Sequence, residues 1–181
     1  MNTKPENQRI RLSKALLKNA LIELLWEKNI EKISIYELCD RAQINRTTFY
    51  KYYGDQYALL EDIENDWLLA LERHFSFGQA QDLVALTNVL EYLESERDKF
   101  RVLFNSSLEK EFSLKLFNLP TVVSTLNLRF LEDRPEHLRN YIYIFVCQGC
   151  YAVIRQWLND DIRAPAGEIA ELLQFMLNYR F

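Results

Sequence analysis

The segment Ser34–Tyr53 constrains the fold more than any other part of the chain. Ser34 is followed three residues later by Glu37, which is a capping box and predicts that a helix starts there. The apolar residues that follow share one helical face: Ile35, Leu38, Cys39 and Ala42. Asn45 is a favourable N-cap for a second helix that runs from Arg46 to about Tyr53. The segment therefore predicts two short helices joined by a tight turn.

The second of these helices has a surface that core packing does not explain. Phe49 and Tyr53, four residues apart, form its inward pair. The other side chains point away from that pair: Arg46, Thr47, Thr48, Tyr50, Lys51 and Tyr52. Arginine can reach guanine in a major groove, whereas threonine, tyrosine and lysine can reach phosphates. The pattern predicts a DNA-recognition helix, and Ser34 and Tyr36 complete the set of predicted DNA-binding residues.

The same region resembles the TetR family of transcriptional regulators. The resemblance is carried by I-N-R-T-T-F-Y-K-Y-Y at 44–53, by Gly-Asp at 54–55 and by Leu-Leu at 59–60, and it spans about Leu12–Trp67. Turn, recognition helix and following cap occur in the order expected for the family. The resemblance implies an N-terminal three-helix helix-turn-helix DNA-binding domain and a C-terminal helical bundle that dimerises.

Two positions depart from the family pattern. Gln43 occupies a turn position that is often Gly, and a left-handed backbone there would cost on the order of 1 kcal/mol. Gln56 occupies a position after the next cap where the family usually has a phosphate-contacting Lys. One phosphate contact is therefore in doubt, but the helix-turn-helix motif is not.

The remainder of the chain predicts helices. Four Gly and four Pro in 181 residues leave few places for tight hairpins, so we expect an all-α protein of about nine helices. We predict a DNA-binding domain over 1–54, with the helix-turn-helix motif at 34–53, and a regulatory and dimerisation domain over 55–181. Residues 1–11 are polar and basic and are expected to form an arm that is loose in solution; contact of this arm with DNA is a less favoured alternative. Trp26 is expected to seal the end of the first helix.

Two C-terminal helices are predicted to carry the dimer interface. The helix from Glu136 to Leu158 is apolar on nearly every side, which requires burial in its own core or against a partner chain. The last helix, from Pro165, has an apolar stripe with helical spacing. TetR-like regulators pack such a pair against its symmetry mate in a four-helix bundle. The pattern Gly149…Trp157-Leu158 before Pro165 is similar to the C-terminal domain of the dihydroxyacetone-kinase-regulator branch of the family.

Charge is distributed unevenly along the chain, whose net charge is −4. Residues 1–53 contain ten Lys or Arg against six Asp or Glu, a net of +4, whereas 54–181 have a net of −8. A basic N-terminal domain on an acidic remainder is the asymmetry expected when one domain faces phosphates. The same charge distribution could arise from ordinary solvated surfaces, so it supports DNA binding only in combination with the helix-turn-helix motif.

Other classes of protein fit poorly. The sequence has no Gly-rich phosphate loop, no H-E-x-x-H and no nucleophile elbow, so we expect neither an enzyme nor a cofactor. Cys147 and Cys150 have C-x-x-C spacing, but they lie within an apolar helix and lack a second pair of ligands, so no metal is expected. No signal peptide is apparent and no apolar stretch is long enough for a bilayer, which favours the cytoplasm over a membrane.

Two functional hypotheses follow. In the first, the chain is a homodimeric repressor that binds a palindromic operator in double-stranded DNA and is released by a small molecule or a protein bound to its helical core. In the second, it is a helical dimerisation or protein-interaction module whose core binds a protein and whose N-terminal domain does not bind a specific DNA sequence. Arg46 and Lys51 distinguish them, because a decayed DNA-binding domain has no reason to retain exposed cations on that helix.

Overall fold

The computed structural model describes residues 8–75, 83–104, 109–119 and 134–178. These ranges contain nine α-helices and one 3-10 turn at Ile30–Lys32, and no strand. The helices are α1 (Gln8–Glu27), α2 (Ile35–Ala42), α3 (Arg46–Tyr50), α4 (Gln56–Phe75), α5 (Leu83–Ser95), α6 (Arg97–Phe104), α7 (Glu109–Phe117), α8 (Glu136–Asn159) and α9 (Ala166–Asn178). The prediction of an all-α protein with about nine helices is confirmed.

The chain divides into two compact units, Met1–Asp66 and Trp67–Phe181, called here the head and the body. The division falls within α4. The domain boundary predicted from the sequence, after Gly54, lies instead in the loop between α3 and α4. It stays a prediction of where the DNA-binding domain ends.

The core of the head is formed by large apolar side chains from all four of its helices. Helix α1 packs against α2, and α2 packs against α3. The apolar side chains of the head at 2% exposure or less are Leu17, Leu21, Leu24, Ile30, Ile33, Leu38, Phe49, Leu59, Leu60 and Ile63. Burying a side chain of this size contributes about 1.5–3 kcal/mol. The short α3 is therefore held in place by its neighbours rather than by its own hydrogen bonds.

Two predictions about α1 are wrong. The helix begins at Gln8, so Arg9 and Arg11 lie in its first turn and not in a loose arm; residues 1–7 of that arm lie outside the described residues. Trp26 is about half exposed and does not seal the helix end. The residues buried near that end are Leu24 and Ile30 of the 3-10 turn.

The body is built from α5–α9 around aromatic side chains. Helix α5 packs against α9, and α8 packs against α6 and α7. Phe104 stacks on Tyr151 with ring centroids 4.6 Å apart, and Phe100 and Phe112 contact Phe104 at an edge. Such aromatic pairs add about 0.5–1.5 kcal/mol each beyond the area that they bury.

The C-terminal end of α8 is closed by an arginine from α6. The Nε atom of Arg97 donates to the carbonyl oxygen of Leu158 at 2.7 Å, and its Nη2 atom donates to that of Asp160 at 2.9 Å. The last carbonyls of a helix have no partner within the helix, and a cation there also complements the helix dipole. Arg97 therefore joins two helices that are distant in sequence.

The apolar surface of α8 is only partly buried within one chain. Cys147, Cys150, Tyr151 and Trp157 are buried, but Tyr141 is 71% exposed and Phe145 is 66% exposed. Helix α9 likewise exposes Leu172, Phe175 and Met176. Of the two environments predicted for α8, its own core accounts for only one face. Within the described residues, every helix is too short or too polar to cross a lipid bilayer.

The C-x-x-C pair lies in the buried part of α8. Cys147 and Cys150 are free thiols, and burial raises the pKa of Cys150 to about 12. Such thiols are protonated and are poor metal ligands and nucleophiles. Among the described residues, no cluster of His, Cys, Asp and Glu is arranged to hold a metal ion.

Candidate nucleic-acid interface

The first helix of the pair is fixed at its N-terminus by the predicted capping box. The Oγ atom of Ser34 accepts a hydrogen bond from the backbone N–H of Glu37 at 3.2 Å. The carboxylate of Glu37 accepts a hydrogen bond from Lys28 Nζ at 2.6 Å, and the nearby backbone of Ser34 also helps to lower its pKa. The bond from Lys28 is the main reason that the pKa of Glu37 lies below its ordinary value. The start of α2 is therefore closed on both sides of the cap.

The turn between the two helices has a left-handed residue. Gln43 has φ 53° and ψ 39°, and it is the one non-glycine residue with positive φ in the described ranges. The backbone N–H of Ile44 donates to the oxygen of Cys39 at 2.9 Å and that of Gln43 to the oxygen of Asp40 at 3.1 Å. This is a Schellman motif. The side-chain Nε2 atom of Gln43 also donates to the oxygen of Asp40 at 2.7 Å, which offsets part of the cost of lacking Gly.

The second helix begins as predicted and ends sooner. The Oδ1 atom of Asn45 accepts from the N–H of Thr48 at 2.7 Å, which confirms the predicted N-cap. The α-helix ends at Tyr50 rather than near Tyr53. Its last turn is tighter, since the N–H of Tyr52 donates to the oxygen of Phe49 three residues earlier at 2.9 Å.

The inward face of α3 consists of the predicted aromatic pair. Phe49 is fully buried and Tyr53 is 6% exposed, and their ring centroids lie 5.8 Å apart. The phenol hydroxyl of Tyr53 donates to Asp62 Oδ2 in α4 at 2.6 Å. Both apolar and polar contacts on the buried side of α3 thus set its orientation.

The outward face of α3 carries most of the predicted DNA-binding residues. Arg46, Thr47, Tyr50 and Lys51 are exposed, with Tyr50 at 52%. Thr48 and Tyr52 are half-buried. On the preceding element, Ser34 is exposed at the cap and Tyr36 is 70% exposed. The eight side chains therefore lie on α2, α3 and the residues directly flanking them, and none of them is buried.

The cations of the head differ in what they contact. Lys18 pairs with Asp62 and Asp66, Lys28 with Glu37, and Arg41 with Glu23 and Glu27. Within the described part of the chain, no such ion pair involves Arg46 or Lys51. Arg46 lies close enough to the buried thiol of Cys39 to oppose the effect of burial, which raises the pKa of that thiol. Arg46 and Lys51 thus differ from Lys18, Lys28 and Arg41 in lacking an intramolecular ion pair within the described residues.

The helix after the motif is capped by Asp55. Its Oδ1 atom accepts from the N–H of Ala58 at 2.8 Å, as expected for a helix start. Gly54 does not have a positive φ, and a Cβ atom added there would meet nothing within 4 Å. The glycine is therefore not required by the backbone of this loop.

Two family models match this chain. Residues 17–63 match the model described as bacterial regulatory proteins of the tetR family, which covers the second half of α1, all of α2 and α3, and the start of α4. Residues 84–179, more than half of the chain, match the model described as a transcriptional regulator C-terminal region. The chain belongs to the TetR family. It is a DNA-binding transcriptional regulator of a non-enzymatic family, and the prediction that it is not an enzyme is confirmed.

Named TetR relatives are similar over most of this chain. The uncharacterized HTH-type transcriptional regulator YxbF of Bacillus subtilis (strain 168) is 23% identical over 167 residues, which are 88% of this chain and 43% of YxbF. The chain thus spans less than half the length of that curated relative. A TetR transcriptional regulator from Streptococcus agalactiae 2603V has a TM-score of 0.73 at 21% identity, over 94% of this chain and 96% of the other.

A second solved TetR-fold structure bears on the predicted branch. The dihydroxyacetone kinase operon activator DhaS has a TM-score of 0.57 at 18% identity, over 91% of this chain and 93% of DhaS. At this identity the likeness shows the TetR fold alone.

Sequence reasoning missed the polar contacts beneath α3. Asp62 is one of many charged residues in α4, and nothing in the local pattern distinguishes it from Glu61 or Asp66. The one available signal was the hydroxyl of Tyr53. A tyrosine at an inward position requires a polar partner across the core.

Proposed function

We propose that the chain is a homodimeric repressor that acts on DNA in the cytoplasm. It binds a palindromic operator through α3 and the start of α2, and it is released when a small molecule or a protein binds the helical body. The observation that carries the proposal is the exposed polar face of α3, on a helix that is capped by Asn45 and anchored by Phe49.

The roles of the DNA-binding residues follow from their chemistry. Arg46 is proposed to contact guanine, because its planar guanidinium can donate to both acceptors of that base. Thr47, Tyr50 and Lys51 are proposed to contact phosphates, with Thr48 and Tyr52 at the edge of the surface. Ser34 and Tyr36 would contact the backbone beside the groove.

The proposed homodimer is supported by the exposed apolar faces of the body. On α8, Leu138, Tyr141, Ile144 and Phe145 are exposed at a spacing of three or four residues, and on α9 Leu172, Phe175 and Met176 follow the same spacing. Exposed apolar stripes of this kind mark interaction sites. A two-fold pair would present two copies of α3 to successive major grooves, about 34–36 Å apart, which explains the expectation of a palindrome.

The proposed effector site lies in the body, because the body has the aromatic side chains that ligand sites prefer. Phe104, Phe117 and Trp157 are buried, and Tyr92 and Tyr143 are half-buried. An effector can change operator affinity only by its differential affinity for the DNA-bound and the free conformation. Either a small molecule or a protein satisfies that condition.

The experiment is a selection of DNA from a random library by the full-length protein. The expected result is a palindromic sequence whose half-sites are separated by about one helical turn or a multiple of it. The selected sequence is then placed across a promoter for transcription in vitro. Repression lowers transcript in proportion to occupancy. An increase in transcript would make the protein an activator, which is the role that its name gives to DhaS. No enrichment over the starting library would contradict the proposal.

A further inference from the structure

Three elements of the head meet at the carboxylate of Asp62, in α4. The hydroxyl of Tyr53, at the end of the recognition segment, donates to its Oδ2 atom at 2.6 Å. Lys18 of α1 lies 2.9 Å from the same oxygen, and its Nζ atom also donates to the backbone oxygen of Asp62 at 3.4 Å. One carboxylate group therefore joins α1, α4 and the residue that follows α3.

These contacts are partly shielded from water. Tyr53 is buried, and the side chains of Lys18 and Asp62 are 16% and 33% exposed. Burial acts to raise the pKa of Asp62, but the hydrogen bonds from Tyr53 and Lys18 together bring it below its ordinary value. The carboxylate is therefore charged when it accepts the phenol proton, and hydrogen bonds to a charged acceptor are stronger than neutral ones.

Tyr53 is well placed to control the rotation of α3. Its ring packs against Phe49, and its backbone N–H donates to the oxygen of Phe49 at 3.0 Å, so the two residues move as one unit. Arg46 and Tyr50 lie on the exposed side of the same short helix. Because α3 has only five residues, its own hydrogen bonds cannot fix its orientation.

We propose that Asp62 is a positioning residue for DNA recognition, which acts through Tyr53 on the rotation of α3. The inference rests on the proposed function and deepens it. A small rotation displaces Arg46 from base edges, where geometry is restrictive, more than it affects contacts to phosphates, which position the protein without reading sequence. The network should therefore govern discrimination between operator and other DNA, and Lys18 should contribute by holding Asp62.

The test compares Tyr53→Phe, Asp62→Asn and the double variant with the matched control Asp66→Asn. Asp66 also pairs with Lys18, at 2.5 Å, but the hydroxyl of Tyr53 donates to Asp62. Affinity is measured for the selected operator and for unrelated DNA of equal length, well below the melting temperature. Amide hydrogen exchange of residues 46–53 is measured in the absence of DNA.

We expect Tyr53→Phe and Asp62→Asn each to weaken operator binding about tenfold, with the double variant no weaker than the worse single variant, because the two residues act as one unit. Binding to unrelated DNA should change less than about twofold, since phosphate contacts dominate it. Exchange over residues 46–53 should accelerate in all three variants. Asp66→Asn should match the wild type throughout.

Three results would overturn the proposal: wild-type operator affinity in Tyr53→Phe, equal losses for operator and unrelated DNA, or the same effect from Asp66→Asn. If Asp62→Asn does not fold, Tyr53→Phe decides alone, because its ring still fills the core. If the wild-type protein selects no operator, the proposed function fails by itself. Exchange in free protein then still decides whether Asp62 holds α3: faster exchange in Tyr53→Phe supports it and unchanged exchange refutes it.

Discussion

The head and the body differ in what they leave exposed to solvent. In the head, α3 exposes cations and hydroxyls while its apolar side is fully covered. In the body, α8 and α9 expose aromatic and aliphatic side chains. Residues 1–53 of the head have a net charge of +4, but the five acidic residues of 54–66 bring the whole head to −1, and the body has −3, so the basic character is confined to the part of the head that includes α3. The difference indicates a polyanion as the partner of one region and an apolar surface, such as a second copy, as the partner of the other.

The two regions also differ in how their structure is fixed. Ser34, Asn45 and Asp55 cap their helices through atoms three residues away. In the body, Arg97 reaches a carbonyl 61 residues further along the chain. A sequence pattern conveys the first kind of contact directly, whereas the second kind depends on the finished fold.

The largest expected effect concerns the exposed face of α8. Replacing both Tyr141 and Phe145 with Arg should weaken self-association about a thousandfold, because each change occurs twice in a two-fold interface. The matched control is Leu114→Arg, an exposed apolar residue on α7. Sedimentation of the three proteins measures the effect. A double variant that associates as tightly as the wild type would show that this face is not the interface.

The next largest expected effect is a loss of stability in the core of the head. Phe49→Ala should destabilise the folded state by about 3–5 kcal/mol, because Phe49 is fully buried under α3. Thr47→Ala, on the exposed side of the same helix, should change stability by less than about 0.5 kcal/mol. Denaturant unfolding followed by circular dichroism provides the comparison. Equal losses in the two variants would mean that α3 is not anchored by its inward face.

A smaller effect tests the long-range contact of the body. Arg97→Ala should cost about 1–3 kcal/mol, because the carbonyl groups of Leu158 and Asp160 lose a charged donor. Lys99→Ala removes only a pair with Glu96 on the surface and should cost less than about 1 kcal/mol. Thermal unfolding distinguishes them. If the Arg97→Ala and Lys99→Ala proteins have the same melting temperature, the account of the helix end is contradicted.

The smallest expected effects come from two loop positions of the head, Gln43, where glycine should be favourable, and Gly54, where it should not. Gln43→Gly should stabilise by about 0.5 kcal/mol, since Gly adopts the left-handed backbone without strain but loses the side-chain bond to Asp40. Gly54→Ala should also stabilise by about 0.5 kcal/mol, because the added Cβ meets nothing and the unfolded chain loses entropy. Urea midpoints measure both changes. Destabilisation by Gly54→Ala would contradict the backbone conformation described for that loop.

The sequence predicted the motif well because its determinants are local. The capping box at Ser34, the N-cap at Asn45 and the inward pair Phe49 and Tyr53 can each be recognised within four residues, and all three are present. The resemblance also marked Gln43 as a turn position where the family often has Gly, and its backbone is left-handed.

Other features could not be predicted because they depend on non-local contacts. Whether Trp26 is buried depends on how the end of α1 packs in the finished fold, where Leu24 and Ile30 are buried and Trp26 is about half exposed. The choice of Asp62 rather than Asp66 as the partner of Tyr53 depends on how α4 is rotated against α3. The eight proposed DNA-binding residues stay a prediction, because only a complex with DNA tests their roles.

The central claim is that the exposed face of α3 reads DNA, and the most direct test is the salt dependence of operator binding by Arg46→Ala and Lys51→Ala. Arg46→Ala should lose about 1–3 kcal/mol of operator affinity and accept other bases at one position. Lys51→Ala should weaken binding to all sequences and reduce the salt slope by about one. If both variants bind the selected operator as the wild type does at every salt concentration, this face does not contact DNA and the account is contradicted.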